Sequence, residues 1–170
     1  MSYISKIDLS TAPQEIRAAV DNHLAQGYQL TNEKLTLLHN VTAFHTLEES
    51  SYELDRELQR LIGKRAADFY EYAISLQNDC LVCSAYFSRL LEKNPIDFAT
   101  FDFTDDERLL IEYGRAIARD PKHVPEDLMR LMQQTFTEEQ LVVITTMGVF
   151  MIANNYFNDI LNVDPAPVQE

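Results

Sequence analysis

The stretch Asp68-Phe-Tyr-Glu71-Tyr-Ala-Ile-Ser-Leu-Gln-Asn-Asp79-Cys80-Leu-Val-Cys83-Ser-Ala-Tyr86-Phe87 decides the reading of the fold. Its first half carries Phe69, Tyr70, Ala73, Ile74 and Gln77 at helical spacing, continuing a stripe begun at Ala66. Asn78-Asp79 ends that helix. A second begins at the cysteines, with Cys80, Cys83, Phe87, Leu90 and Leu91 on one face. The junction therefore reads as two helices meeting at a C-x-x-C pair. Cys80 and Cys83 are the only cysteines in the chain. Without a secretory context, such a pair points to redox or metal chemistry rather than to a structural staple.

Working outward, the same period persists in both directions. Ser10-Thr-Ala-Pro13 reads as a hydroxyl cap before a helix carrying Ile16, Val20 and Leu24, closed by Gly27. A short segment spans 32–38. Val41, Phe44, Leu47, Leu54 and Leu58 suggest a longer helix, broken near Ser50-Ser51, with Gly63 as a boundary. Downstream, Asn94-Pro95 reads as a stop and 96–103 as a loop. Thr104-Asp-Asp-Glu107 and Thr137-Glu-Glu-Gln140 are capping boxes. Pro125 opens a helix through Leu128 and Met132. The last helix runs to about Leu161 and is apolar nearly all round. That pattern places it at the centre of the subunit or between subunits. No segment alternates as a strand would. The expectation is an all-α bundle of about seven to eight helices with the C-x-x-C at a helix N-terminus.

The chain has 170 residues and a formal net charge of −13. Length suits one domain with a sizeable core. We expect an N-terminal helical extension over 1–30, the domain proper over 31–163 and a tail over 164–170. The acidic charge argues against nucleic acid and anionic membranes as partners. The N-terminus shows no signal-peptide pattern, and the apolar run 141–153 is shorter than a membrane span. The expected location is cytoplasmic. His23, His39, His45 and His123 make no metal-binding spacing, and no phosphate loop is present, so no metal or cofactor is expected.

A helix N-terminus favours thiolate, and a second thiol three residues on can close a reversible disulfide. Competing readings are two small buried hydrophobes, half of a zinc site, or a redox-sensing pair without turnover. Asp79 beside Cys80 should raise its pKa, and the nearest cations in sequence are Arg89, Lys64 and Arg65. Helix position makes Cys80 the more exposed thiol.

These residues resemble the AhpD-like carboxymuconolactone decarboxylase family. Its pattern is a glutamate twelve residues before a C-x-x-C and a histidine four after the second cysteine. Phe103-Thr-Asp-Asp-Glu-Arg-Leu-Leu110, Tyr113-Gly-Arg-Ala-Ile-Ala118, Phe136-Thr-Glu-Glu-Gln-Leu-Val142 and Asn155-Tyr-Phe-Asn-Asp-Ile-Leu-Asn-Val163 add to the resemblance, which covers roughly 30–163. It implies the AhpD-like helical fold and assembly as trimers or hexamers. It also implies peroxide reduction by the dithiol, with regeneration by a dithiol or lipoyl-type electron-donor protein. In the family, glutamate and histidine relay a proton from the cysteines. Here Cys80 and Cys83 match, Asp68 stands at the glutamate position, and Phe87 stands where the histidine belongs. Phe87 carries no proton and should desolvate the sulfurs.

Substitutes for the missing base are Glu71, Tyr86, His39 and His45. Their ordinary readings are a solvated face residue, a core tyrosine, and packed or surface histidines. Three functions follow: a thiol-dependent peroxidase with an unusual relay; a non-catalytic redox-responsive or scaffold oligomer; and a lactone decarboxylase, which the dithiol disfavours because that activity needs none.

Overall fold

A computed structural model describes residues 2–91 and 100–165, apart from the side chains of Tyr86 and of residues 88–91. The described residues are helical and contain no strand. The chain order is α1 (Gln14–Ala25), α2 (Asn32–Leu37), α3 (Val41–Phe44), a π turn (His45–Glu49), α4 (Ser50–Ile62), α5 (Lys64–Gln77), α6 (Leu81–Leu91), α7 (Asp105–Arg119), α8 (Glu126–Thr135) and α9 (Glu138–Ile160). Because α3, the π turn and α4 run on without a break, there are eight helical units among the described residues. This is the all-α bundle expected from sequence. The expected break at Ser50-Ser51 is instead this π turn. One extra residue in the turn brings Glu48 inward, and such turns cluster at functional sites.

Helix ends follow the sequence signals with one exception. Thr104 and Thr137 cap α7 and α9 through complete capping boxes with Glu107 and Gln140. Gly27 and Gly63 adopt φ of 85° and 84° and close α1 and α4. Ser10, however, does not cap α1. Pro13 holds that position with no side-chain cap, and the Ser10 hydroxyl bonds Asp8 instead. The stop at Asn94-Pro95, the first half of the loop 96–103 and the tail beyond 165 lie outside the described residues.

The main core joins α4, α5, α7, α8 and α9 around Tyr70, which is fully buried. Its hydroxyl donates to the Ile144 carbonyl at 2.8 Å, so the phenol is satisfied at the centre of the bundle. Phe87 of α6 joins this core. A second core joins α1, α2 and α3 through Ile16, Ala19, Val20, Leu37, Leu38 and Phe44. Phe157 of α9 packs against it, as do Ile7 and Leu9. The N-terminal segment is tied down by Tyr3 N–H to the Leu161 carbonyl and Ile7 N–H to the Leu35 carbonyl, both 3.0 Å.

The last helix, α9, meets α4, α5, α6, α7 and α8. Its inward stripe is Ile144, Met147, Gly148, Met151, Asn155 and Asn158. At about 35 Å it is long and apolar enough to cross a bilayer, yet this stripe is buried in protein. Val142, Val149, Tyr156 and Ile160 face outward. Two asparagines at the end of an otherwise apolar stripe mark where the core changes character.

Candidate dithiol site

Two matching backbone motifs build this site. At the end of α5, Asp79 adopts φ 56°, Asp79 N–H bonds the Leu76 carbonyl, and Cys80 N–H bonds the Ser75 carbonyl. At the end of α9, Asn162 adopts φ 49°, Asn162 N–H bonds the Asp159 carbonyl, and Val163 N–H bonds the Asn158 carbonyl. Both are Schellman closures with a non-glycine residue in the left-handed position. The first turns the chain so that Cys80 immediately precedes α6. The second fixes Asn158, whose amide reaches the cysteines.

Cys80 and Cys83 are both free thiols. Their sulfurs lie 2.9 Å apart. Closing to a bond needs under about 1 Å of sulfur movement. Cys83 N–H donates to Cys80 Sγ at 3.4 Å, so the sulfur itself caps α6 and accepts one of its free N–H groups. The shared hydrogen bond with Cys83 is the chief cause holding the Cys80 thiol below its ordinary value. Burial opposes it, and the backbone N–H groups of Cys83 and Val82 reinforce it. The same shared bond, then burial, then the charge of Glu33 push Cys83 far up. Cys80 is thus the more acidic of the two thiols and Cys83 the one that holds its proton.

Two expectations are corrected. Cys80 is 0% exposed and Cys83 8%, so the N-terminal thiol is the more enclosed one, because the Schellman turn folds it under α5. The acid that opposes ionisation of Cys80 is Asp159, while the Asp79 charge acts on Asp159.

The polar surroundings come from α2 and α9. Asn158, 1% exposed, donates Nδ2–H to Cys83 Sγ at 3.4 Å. Asn158 also lies close enough to Glu33 to favour its carboxylate form. Glu33 sits in the first turn of α2, 9% exposed. Burial, then the nearby Glu48, push its carboxyl up to about 8; Lys34 opposes this, and Cys80 adds to it. Glu48 is held by Tyr52 hydroxyl at 2.6 Å and by Lys34 at 3.5 Å. Glu33 Oε1 and Asn158 Oδ1 are buried with no hydrogen-bond partner among the described residues.

The remaining candidates fall elsewhere. Asp68 is paired with Lys64 at 2.9 Å. Glu71 is buried rather than solvated; burial, then the neighbouring Asp55 carboxylate, raise its pKa well above the usual range. His39 Nε2 contacts the Ser5 carbonyl at 2.7 Å on the surface. His45 Nδ1 stands 2.6 Å from Glu49. Phe87 is buried in the main core, its ring centroid 6.1 Å from Tyr72. The Tyr86 side chain lies outside the described residues. Of the cations nearest in sequence, Lys64 serves Asp68 and Arg65 pairs with Glu107 at 2.9 Å.

Sequence reasoning missed Glu33, Asn158 and Glu48. For Asn158 the signal existed: Asn155 and Asn158 continue the inward stripe of α9, where a polar residue needs a partner. Glu33 gave none, since an acid in the first turn of a helix is ordinary.

No protein-family model matches the sequence, and no curated protein matches it. Solved structures do. A peroxidase-related protein from Silicibacter sp. TM1040 is 14% identical with a TM-score of 0.74, covering 96% of this chain and 92% of the other. The apo debrominase Bmp8 is 16% identical, with a TM-score of 0.76 and the same coverage. An AhpD-core, peroxidase-related protein from Ralstonia eutropha JMP134 is 20% identical, with a TM-score of 0.72, covering 98% and 93%. The fold is AhpD-like. The Cys80 junction, with the polar lining contributed by Glu33 and Asn158, lies within this fold.

Proposed function

We propose that this chain is a thiol-dependent oxidoreductase that reduces peroxides through the Cys80/Cys83 dithiol–disulfide couple. The observation that carries this reading is the pair of free sulfurs 2.9 Å apart, with Cys80 Sγ accepting the Cys83 N–H at the start of α6. The Cys80 thiolate attacks the terminal peroxide oxygen. The O–O bond breaks, the alkoxide takes a proton and leaves as alcohol, and Cys80 becomes a sulfenic acid. Cys83 sulfur then attacks Cys80 sulfur, the S–O bond breaks, and hydroxide leaves as water after taking the Cys83 proton. An external dithiol or lipoyl-type donor protein restores both thiols. Enclosure of both sulfurs favours small peroxides. The solved AhpD-like and peroxidase-related structures support the reading, and assembly as a trimer or hexamer is part of it.

The debrominase supports a second electrophile on the same dithiol. Two thiols can reduce a carbon–bromine bond to carbon–hydrogen, releasing bromide and a proton and leaving the disulfide. The test is consumption of hydrogen peroxide by purified protein with dithiothreitol, beside Cys83→Ser, with bromide release from a brominated aromatic measured in parallel. Turnover lost in the variant supports a dithiol enzyme, and the substrate consumed selects between the electrophiles. No turnover of either, with both thiols free, leaves the non-catalytic redox-responsive role.

A further inference from the structure

We propose that Glu33 is the proton acceptor for Cys83 during disulfide closure, with Asn158 as the positioning residue that holds the Cys83 thiol. The proposal rests on the dithiol reading above and adds to it the group that does the work of the absent histidine.

Closure requires Cys83 to lose its proton, and Cys83 is the thiol least able to do so unaided. Burial and the bond to Cys80 both hold the proton on it. A base must therefore stand close by, inside the protein, because Cys83 is almost sealed from water. Glu33 is the carboxyl placed to act on both sulfurs: its charge is felt at Cys83, and that of Cys80 is felt at Glu33. Asn158 has two amide hydrogens. One contact is made to Cys83 Sγ, and the amide also favours the ionised form of Glu33, so the same side chain acts on both groups. The spare acceptor Oε1 of Glu33 is buried with no partner among the described residues, which leaves a lone pair for the incoming proton.

The second support is the rigidity of this arrangement. Thr31 caps α2 by accepting from Lys34 N–H. Asn32, next to Glu33, donates to the carbonyls of Asp164 and Pro165 at 3.0 and 3.2 Å. That ties the first turn of α2 to the segment just beyond the Schellman closure that fixes Asn158. A base held from both ends needs little reorganisation at the moment of transfer.

The step balances. Glu33 carboxylate takes the Cys83 proton as Cys83 sulfur attacks Cys80 sulfur. The leaving hydroxide then takes that proton from Glu33 and departs as water, and Glu33 returns to its starting state. A carboxyl with a pKa of about 8 is matched to such a task near neutral pH. The charged and titratable groups around it are Lys34 on α2, Glu48 on the π turn, Cys80 and Cys83 at α6, and Asp159 on α9 near Cys80. Of these, Lys34 alone favours the ionised carboxylate.

The experiment separates closure from peroxide chemistry. Reduced protein is treated with methyl methanethiosulfonate, which places a small mixed disulfide on one cysteine, and closure by the other is followed by mass and methanethiol release across the neutral to alkaline range. Wild type should close with a rate that rises through a midpoint near 8. Glu33→Gln, nearly isosteric, should close about 10²-fold or more slowly and lose that midpoint. Glu33→Asp should recover part of the rate. After peroxide, the Glu33→Gln protein should hold a sulfenic acid that dimedone traps. A Glu33→Gln protein that closes at the wild-type rate with the wild-type pH profile overturns the proposal. Closure of the methylthio adduct that depends on Glu33, with no reaction toward peroxide, would instead remove the peroxidase reading and keep the role of Glu33. Asn158→Ala, folded by circular dichroism, should slow closure and move the midpoint upward, because the amide favours the Glu33 carboxylate.

Discussion

Cys83 donates its backbone N–H to Cys80 Sγ at 3.4 Å while its own sulfur lies 2.9 Å from the same atom. The two residues are therefore one acid–base unit, and substituting Cys83 alters Cys80. The largest influence lowering the Cys80 pKa is the side-chain hydrogen bond from Cys83. Cys83→Ala should raise the Cys80 pKa and slow its alkylation by iodoacetamide at pH 7. Cys83→Ser keeps a donor and should raise it less. Thiolate absorbance against pH reads both. Equal values in wild type and Cys83→Ala would show that the helix terminus alone sets the thiol.

Stability should fall as the solution becomes alkaline. Glu33 is raised from 4.5 to about 8, and Glu71 is raised well above 4.5, both chiefly by burial. A carboxyl raised in the folded state binds its proton more tightly there than in the unfolded chain. Its contribution is present in full below the unfolded value near 4.5 and is lost as pH rises through the folded value. Urea midpoints should therefore decline from pH 5 to pH 8. Glu33→Gln and Glu71→Gln should each flatten part of that slope, by an amount on the order of a few kcal/mol in all. A midpoint that climbs over this interval would contradict the burial of both carboxyls.

Asp79→Gly should stabilise the fold. Asp79 holds φ 56° at the close of α5, a conformation that costs roughly 1 kcal/mol for a residue with a side chain and little for glycine. The substitution also removes a charge that acts on Asp159. We expect a gain of about 1 kcal/mol in thermal or urea unfolding with the thiol pair intact. A loss would show that the Asp79 side chain makes a contact worth more than the backbone strain.

Restoring the histidine of the related pattern should fail. Phe87 is buried in the main core beside Tyr72. Phe87→His replaces an apolar ring with one that needs partners, at a cost of about 2–4 kcal/mol. Turnover should not rise. A folded, faster Phe87→His enzyme would mean that the site accepts a second base alongside Glu33.

Local pattern carried the helices and their ends. Apolar periodicity, the Thr104 and Thr137 capping boxes and the glycines at 27 and 63 act within one or two turns, so they could be read directly. The cysteine pair was legible for the same reason, its two sulfurs being brought together by a single turn of helix. The short π turn was not, because the apolar residues on either side of it fit one helix, and only Glu48 turning inward reveals the extra residue.

What the sequence by itself determined is an all-α chain with a dithiol at the junction of two helices. Tertiary structure alone decided the chemistry around that dithiol. Asn158 meets Cys83 across 75 residues, and Glu33 arrives from a two-turn helix whose acid looks like an ordinary partner of the helix dipole. It also decided that Glu71 is buried and that Cys80 is the more enclosed sulfur. The reason is physical: periodicity says which face of a helix turns inward, but the burial that raises a carboxyl or a thiol is set by which other helix covers that face.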